Sequence, residues 1–206
     1  MAKMTFFYGT MKSGKSAQLI ASVMNYWTKG EQVLVVKPML DDRSGNKIST
    51  RLGMEIDCVL IPNEYGVLSR MLENAKDEGV KIAAVIVDEA QFLSSDIIIE
   101  LSSIADDGTT VMAYGLKNDF KSELFEASKT LLELSDKIVE VKTLCQFCNH
   151  KAILNLRTVD GVPAPPDAPL VSIGDEEYHQ VCRSHYYNFY EEKNQFKKVP
   201  VIESLI

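Results

Sequence analysis

One segment, Gly9-Thr-Met-Lys-Ser-Gly-Lys-Ser16, constrains the fold of this chain more than any other, because it fits G-x-x-x-x-G-K-[ST] at every fixed position. A short apolar stretch, Thr5-Phe-Phe-Tyr8, precedes it, and residues 17–26 after it carry apolar side chains at helical spacing. A glycine loop between a strand and a helix turns consecutive main-chain N–H groups toward a phosphate at the helix N-terminus. In such a loop the lysine reaches the outer phosphates and the following hydroxyl binds Mg²⁺. We therefore predict a nucleotide-phosphate site formed by Gly9, Thr10, Met11, Lys12, Ser13, Gly14, Lys15 and Ser16, with Ser16 as a Mg²⁺ ligand.

The next segments alternate between strand and helix patterns. Continuous apolar runs predict buried strands at residues 32–37 and 83–88, and further strands are predicted at 110–114 and 137–141. Amphipathic patterns predict helices at 66–78, 97–105 and 122–134. This alternation predicts an α/β fold, a P-loop (RecA-like), doubly wound, mostly parallel sheet covering residues 1–142.

Two carboxylates follow the apolar strand Val85-Ile-Val-Asp-Glu89. Ligands bind at the carboxyl ends of strands in open α/β sheets, so both acids are expected at the ligand-binding edge. Together with the phosphate loop, this predicts Asp88 as a Mg²⁺ ligand and Glu89 as a general base.

Three of the four cysteines lie in the last third of the chain, in a C-x-x-C pair and a C-x-x-H pair. Thiolate and imidazole ligands without a spare position are typical of structural Zn²⁺. The predicted zinc ligands are Cys145, Cys148, Cys182 and His185. They define a small zinc-binding lobe at residues 143–194, with a hairpin at 145–157, a loop at 160–169 and a helix at 182–192, followed by a tail at 195–206.

Composition excludes several classes of protein. The 206 residues are 46% hydrophobic and 25% charged, which excludes disordered and fibrous chains. A net charge of −7 disfavours non-specific binding to nucleic acid. The sequence has neither an apolar run of membrane-spanning length nor a signal-peptide layout at its start, so we expect a cytoplasmic protein without a membrane partner.

The order of these motifs resembles that of the type II, zinc-containing thymidine kinases. The resemblance covers about residues 4–187 and rests on the phosphate loop, Asp-Glu-Ala-Gln-Phe, Tyr-Gly-Leu-Lys-Asn-Asp-Phe, C-x-x-C, Ile-Gly-(x)-Tyr and C-x-x-H. It implies an enzyme that phosphorylates thymidine with Mg²⁺ and ATP to supply DNA synthesis, with Glu89 as the catalytic base. It also implies further ATP-binding residues, namely Asp41, Asp42, Arg43, Asp88 and Gln91.

The resemblance also assigns the thymidine contacts. It implies that thymidine is bound by Met11, Phe92, Leu116 and Phe120, and by a lasso loop with Leu170, Val171, Ser172, Ile173, Gly174 and Tyr178. The segment from Ile173 to Tyr178 is one residue shorter than the family's Ile-Gly-Gly-x-x-x-Tyr. A homotetramer and feedback inhibition by dTTP are further implications of the resemblance.

Three alternatives stay open at the level of sequence. Asp88-Glu-Ala-Gln91 also resembles motif II of helicases, so a nucleic-acid-dependent ATPase is one; the short chain and the acidic net charge count against it. A non-catalytic nucleotide-binding scaffold would keep the phosphate loop but would not need Glu89. A kinase with a preference for deoxyuridine or for pyrimidine nucleosides in general has the same motifs.

Overall fold

The computed structural model describes residues 3–41, 45–165, 167–169 and 176–191. The chain divides into two compact units. The first consists of Met1–Gly9, Ser13–Lys117 and Leu124–Val141, and the second of Thr10–Lys12, Asn118–Glu123 and Lys142–Ile206. The middle of the phosphate loop therefore belongs to the second unit, although the residues on either side belong to the first.

A six-stranded parallel sheet forms the centre of the first unit. Its strands are β1 (Met4–Tyr8), β2 (Gln32–Pro38), β5 (Val59–Ile61), β6 (Ile82–Val87), β7 (Thr110–Gly115) and β8 (Lys137–Glu140). They lie in the order β5-β2-β6-β7-β1-β8, and each neighbouring pair is parallel. Two short strands, β3 (Lys47–Ser49) and β4 (Glu55–Asp57), form a separate antiparallel pair.

Both faces of the sheet are buried, which explains the continuous apolar runs in the sequence. Successive residues of β6 alternate between two cores: Val85 and Val87 join one, and Ala84 and Ile86 join the other. The described residues of this unit form the α-helices α1 (Lys15–Trp27), α2 (Val67–Asp77), α3 (Ser95–Asp106) and α4 (Glu126–Leu134). Buried side chains of α2, α3 and α4 line the first core, and those of α1 line the second. The predicted α/β fold with a mostly parallel sheet is therefore confirmed.

The second unit contains an antiparallel sheet in the order β10-β9-β11, with strands β9 (Leu154–Val159), β10 (Val162–Pro163) and β11 (Glu176–Val181). A helix, α5 (Arg183–Glu191), follows β11. Among the described residues of this unit, the apolar core contains five buried members, and two of them, Cys145 and Cys182, are predicted zinc ligands. A structural metal bound by such residues would add to the stability of this core.

The sequence patterns missed some elements and misplaced others. The short strands β3, β4, β5 and β10 and the six-residue strand β11 were not predicted. β10 lies inside the segment predicted as a loop at 160–169, and β11 contains Tyr178, which was assigned to the lasso loop. The helix predicted to begin at residue 122 begins at Glu126, because Asp119 closes a turn before it. The Asp119 carboxylate accepts the main-chain N–H groups of Lys121 and Glu123 at 2.8 and 2.9 Å. Among the residues that the structure describes, no helix is long and apolar enough to cross a membrane.

Candidate active site and metal centre

The phosphate loop requires glycine at two positions for different reasons. A Cβ at Gly9 would lie 2.5 Å from Ser13 Oγ and 2.6 Å from the carbonyl oxygen of Val141, so a larger residue would clash with the main chain. Gly14 has a left-handed φ of +89° and immediately precedes α1, where a side chain would strain the backbone. Lys12 also has a positive φ, 62°. The sequence thus encodes a tight loop that ends at a helix N-terminus, as the motif predicts.

Lys15 and Ser16 lie at the start of α1, close to the carboxylates that follow β6. Ser16 Oγ donates a hydrogen bond to Asp88 Oδ2 at 3.2 Å. The strand β7 separates β1 from β6, so this contact joins the helix that follows β1 to the residue that follows a non-adjacent strand. Desolvation lowers the pKa of Lys15, against the opposing effect of the Glu89 and Asp88 carboxylates.

Asp88 is buried, and its environment disfavours the charged form. Desolvation, followed by the charge of Glu89, raises the pKa of Asp88 to about 7, against opposing contributions that include Lys15 and Ser16. A bound cation would offset this cost and stabilise the charged form of the Asp88 carboxylate. Two cis ligands of an octahedral Mg²⁺ lie about 2.9 Å apart, close to the observed spacing of the Ser16 and Asp88 oxygens. These two side chains therefore fit a Mg²⁺ site.

Glu89 is the more accessible of the two acids and has an unusual backbone conformation. Its φ is +48°, in the left-handed region, where a non-glycine residue is strained. Its Oε2 accepts a hydrogen bond from Gln91 Nε2 at 2.5 Å. Gln91 is buried, and its Oε1 accepts the main-chain N–H of Leu116 at 2.9 Å. The predicted base is thus hydrogen-bonded to Gln91, which the family resemblance assigns to ATP binding.

A buried ion pair joins the last residues of β2 to those that follow the strand, at the same end of the sheet. Asp41 Oδ2 lies 3.5 Å from Lys37 Nζ, and the Lys37 side chain is only 1% exposed. Asp41 was predicted from the family resemblance, whereas Lys37 was missed because it ends an otherwise apolar strand. Asp42 and Arg43, the other predicted residues of this segment, lie outside the described residues.

Two of the predicted thymidine contacts belong to the first unit. The ring of Phe92 packs edge-on against Phe125, with centroids 5.8 Å apart. Leu116 is buried, and its carbonyl oxygen accepts the hydroxyl of Ser128 at 2.6 Å. Both residues therefore have positions fixed by the α4 segment.

The other described thymidine candidates belong to the second unit. The main-chain N–H of Met11 donates to Asn155 Oδ1 at 2.8 Å. Phe120 is buried, and the guanidinium carbon of Arg157 lies 4.8 Å from the centroid of the Phe120 ring. Tyr178 lies in β11, paired with Arg157 of β9. The five predicted lasso residues Leu170, Val171, Ser172, Ile173 and Gly174 lie outside the described residues.

The four predicted zinc ligands come together in the second unit. One ligand atom from each of Cys145, Cys148, Cys182 and His185 lies within 4.8 Å of all the others. The Sγ atoms of Cys148 and Cys182 are 3.8 Å apart, and His185 Nδ1 lies 3.3–3.6 Å from the three sulfurs. Tetrahedral Zn²⁺ with Zn–S bonds of about 2.3 Å places sulfurs about 3.8 Å apart. These residues therefore fit a closed, structural zinc site.

Comparison with known proteins agrees with this geometry. The sequence profile of the thymidine kinase family matches residues 2–186. A thymidine kinase of Lactococcus lactis is 41% identical over 189 residues, which cover 91% of this chain and 98% of that protein. Thymidine kinases of Streptococcus pyogenes and Lactobacillus johnsonii are 40% identical over 190 residues and 38% identical over 194 residues, with the same shares covered.

The chain belongs to the thymidine kinase family. This confirms the resemblance that the motif order indicated. The matched residues include both the phosphate loop and the zinc-binding lobe. Membership of the family therefore applies to both units and not only to the nucleotide-binding segment.

Proposed function

We propose that this chain is an ATP-dependent thymidine kinase that transfers the γ-phosphoryl group of ATP to the 5′-hydroxyl of thymidine. The products are dTMP and ADP, and the reaction would supply thymidine nucleotides for DNA synthesis. Family membership and the names of the relatives support the acceptor. The observation that carries the chemistry is the approach of Ser16 to Asp88, with Glu89 next in sequence and Lys15 beside both carboxylates.

In this proposal the phosphate loop binds ATP. The residues assigned to it are Gly9, Thr10, Met11, Lys12, Ser13, Gly14, Lys15 and Ser16, with Asp41, Asp42, Arg43 and Asp88 as further nucleotide contacts. Ser16 and Asp88 would hold Mg²⁺, which neutralises charge on the phosphates when it is bound. The ammonium group of Lys15 would stabilise the negative charge that develops on the transferring phosphoryl group.

Glu89 is proposed as the general base. Its carboxylate would accept the proton of the thymidine 5′-hydroxyl as that oxygen bonds to the γ-phosphorus and the bond to the β–γ bridging oxygen breaks. Glu89 suits this role because it is only partly buried and one residue beyond the Mg²⁺ aspartate. The electron pair of the breaking bond leaves with ADP.

Several finer assignments belong to the proposal and derive from the family resemblance. Thymidine contacts are assigned to Met11, Phe92, Leu116, Phe120 and Tyr178 and to the segment 170–174. The zinc lobe is assigned a structural role, because four protein ligands leave no open coordination position. A homotetramer, feedback inhibition by dTTP and a cytoplasmic location complete the proposal.

The decisive experiment offers the purified protein Mg-ATP with each of thymidine, deoxyuridine, deoxycytidine, uridine and single-stranded DNA, and follows ADP together with nucleoside monophosphate. We expect one dTMP for each ADP with thymidine. A faster reaction with deoxyuridine would reassign the acceptor within the pyrimidine nucleosides. ADP release that requires DNA would identify a nucleic-acid-dependent ATPase instead, and ATP binding without turnover on any acceptor would identify a scaffold.

A further inference from the structure

The carboxamide of Gln91 joins the proposed base to the end of a neighbouring strand. Gln91 is 3% exposed, and it lies in the short 3₁₀ turn, residues 90–92, that follows Glu89. Its Nε2 donates to Glu89 Oε2 at 2.5 Å, and its Oε1 accepts the main-chain N–H of Leu116 at 2.9 Å. Both polar ends of this side chain are therefore engaged by the protein.

These two contacts fix the orientation of the amide. A main-chain N–H can only donate, so the atom facing Leu116 must be the carbonyl oxygen of the carboxamide. The NH₂ group then faces Glu89, whose ionised carboxylate can only accept. The amide consequently holds one carboxylate oxygen of Glu89 and leaves the other oxygen without this contact.

Gly115, the last residue of β7, makes room for this arrangement. A Cβ at residue 115 would lie 2.9 Å from Gln91 Oε1 and 3.2 Å from the main-chain nitrogen of Gln91. The φ of Gly115 is not in the left-handed region. Glycine is therefore required at this position by the close approach of Gln91 rather than by backbone conformation.

We propose that Gln91 is a positioning residue that orients the carboxylate of Glu89 for proton abstraction, rather than a contact to ATP. This inference rests on the proposed kinase function. In this arrangement Oε1 of Glu89 would face the acceptor hydroxyl, while Oε2 stays bonded to the buried amide. A base displaced by about 1 Å can lose about 100-fold in rate, so the loss of this contact should be visible in turnover.

The test compares Gln91→Glu with Gln91→Met. The glutamate variant keeps an oxygen for the Leu116 N–H but loses the donor to Glu89, whereas the methionine variant loses both contacts. We expect kcat to fall about 10- to 100-fold in both variants, with KM for ATP changed less than about threefold. Gly115→Ala should cause a similar fall, because its methyl group pushes the amide away from β7. This variant tests the same contact without changing Gln91, should the Gln91 variants not fold.

A double-mutant cycle separates positioning from general structural damage. In a Glu89→Gln background there is no base to orient, so Gln91→Met should lower the remaining kcat by less than about threefold. An equal fall in both backgrounds would overturn the proposal, as would a rise in KM for ATP with unchanged kcat. Absence of dTMP formation by the wild-type protein would instead refute the kinase function itself.

Discussion

Asn155 Oδ1 accepts the main-chain N–H of Met11 at 2.8 Å, so a side chain of β9 holds the middle of the phosphate loop. The same carboxamide donates through Nδ2 to the carbonyl oxygen of Asn118 at 3.2 Å. Asn155 is 3% exposed. Because both ends of its buried amide are hydrogen-bonded, the side chain restrains the positions of the Met11 and Asn118 main chain. The loop that is proposed to bind ATP is therefore held by a residue 144 positions later in the chain.

We expect Asn155→Leu to raise KM for ATP about tenfold and to lower the free energy of unfolding by about 1–3 kcal/mol, because the Met11 N–H loses its acceptor. Asn155→Asp keeps an acceptor for Met11 but loses the donor to Asn118, so its effect on KM for ATP should be smaller. Steady-state kinetics and urea unfolding measure both quantities, with exposed Asn74→Leu as the control. An unchanged KM for ATP in Asn155→Leu would show that this contact does not organise the loop.

Glu89→Gln tests the proposed base directly. The amide has nearly the shape of the carboxylate but cannot accept a proton, so kcat should fall about 10²- to 10⁴-fold. KM for ATP should change little, because the phosphate loop and Asp88 are untouched. Glu73→Gln, at an exposed position of α2, is the matched control. Turnover near the wild-type rate would exclude Glu89 as the base.

The zinc site predicts a stoichiometry of one Zn²⁺ per chain. His185→Cys should retain the metal, because a thiolate replaces imidazole in a tetrahedral site, whereas His185→Ala should lose it together with the stability of the second unit. Metal analysis and thermal unfolding with and without a chelator measure these effects.

His150 provides a matched control for His185. Its Nδ1 lies 3.3 Å from Cys148 Sγ, but it is exposed and outside the four-ligand group. His150→Ala should therefore keep one zinc ion per chain. Loss of zinc from this variant, with retention in His185→Ala, would reassign the histidine ligand.

The environment of His179 predicts that the stability of the chain depends on pH. Its Nε2 lies 3.0 Å from Thr158 Oγ1 and its Nδ1 lies 2.9 Å from Gln146 Oε1. Desolvation, aided by the charge of Lys12 and opposed by Glu177, lowers the pKa of His179. The unfolded chain therefore binds a proton at a higher pH than the folded chain, and stability should fall as pH drops below about 6.5, by at most about 1.4 kcal/mol per pH unit.

The comparison of wild type with His179→Gln isolates this effect, since zinc release at low pH acts on both proteins. Urea unfolding at pH 7.5 and pH 5.5 should give a smaller loss of unfolding free energy in the variant. Equal losses in the two proteins would show that His179 does not titrate between the folded and unfolded states in this range.

Local patterns explain which parts of the fold could be predicted. The strands β1, β2, β6 and β7 are five to seven residues long and contain runs of three to six apolar residues, and the helices have amphipathic spacing, so both leave a signal in the sequence. Strands of two or three residues, such as β3 and β10, are too short to show a period, and their existence depends on the partner strand. The turn at Asp119, which delays α4, depends on side-chain hydrogen bonds that no periodicity reveals.

The same distinction holds for the candidate site. The phosphate loop, Asp88 with Glu89, and the paired zinc ligands are short motifs whose chemistry requires fixed spacings. Asn155 and Gln91 bond to Met11 and Leu116, partners that only the fold brings near. Lys37 pairs with Asp41, four residues later, but no motif marks this pair. Their residue types are ordinary in sequence, so no local pattern distinguishes them from surface or core residues.

Glu100 is another residue whose role depends on partners that are distant in sequence. This glutamate of α3 is 1% exposed, and its carboxylate accepts the N–H groups of Gly66 and Ser69 at 2.9 and 2.7 Å and the Ser69 hydroxyl at 2.8 Å. From α3, Glu100 thus accepts hydrogen bonds from main-chain N–H groups at the N-terminus of α2. The dipole of α2 also favours a negative charge at that end.

Glu100→Ala should lower the free energy of unfolding by about 2–4 kcal/mol, because three partly buried donors lose their acceptor. Glu100→Gln should also destabilise the chain, since its NH₂ group would face a main-chain donor. Exposed Glu73→Gln should change stability by less than about 0.5 kcal/mol. Urea unfolding followed by circular dichroism measures these differences. If Glu100→Ala unfolded at the same urea concentration as Glu73→Gln, the carboxylate would contribute nothing to the start of α2, and water would have to satisfy those donors.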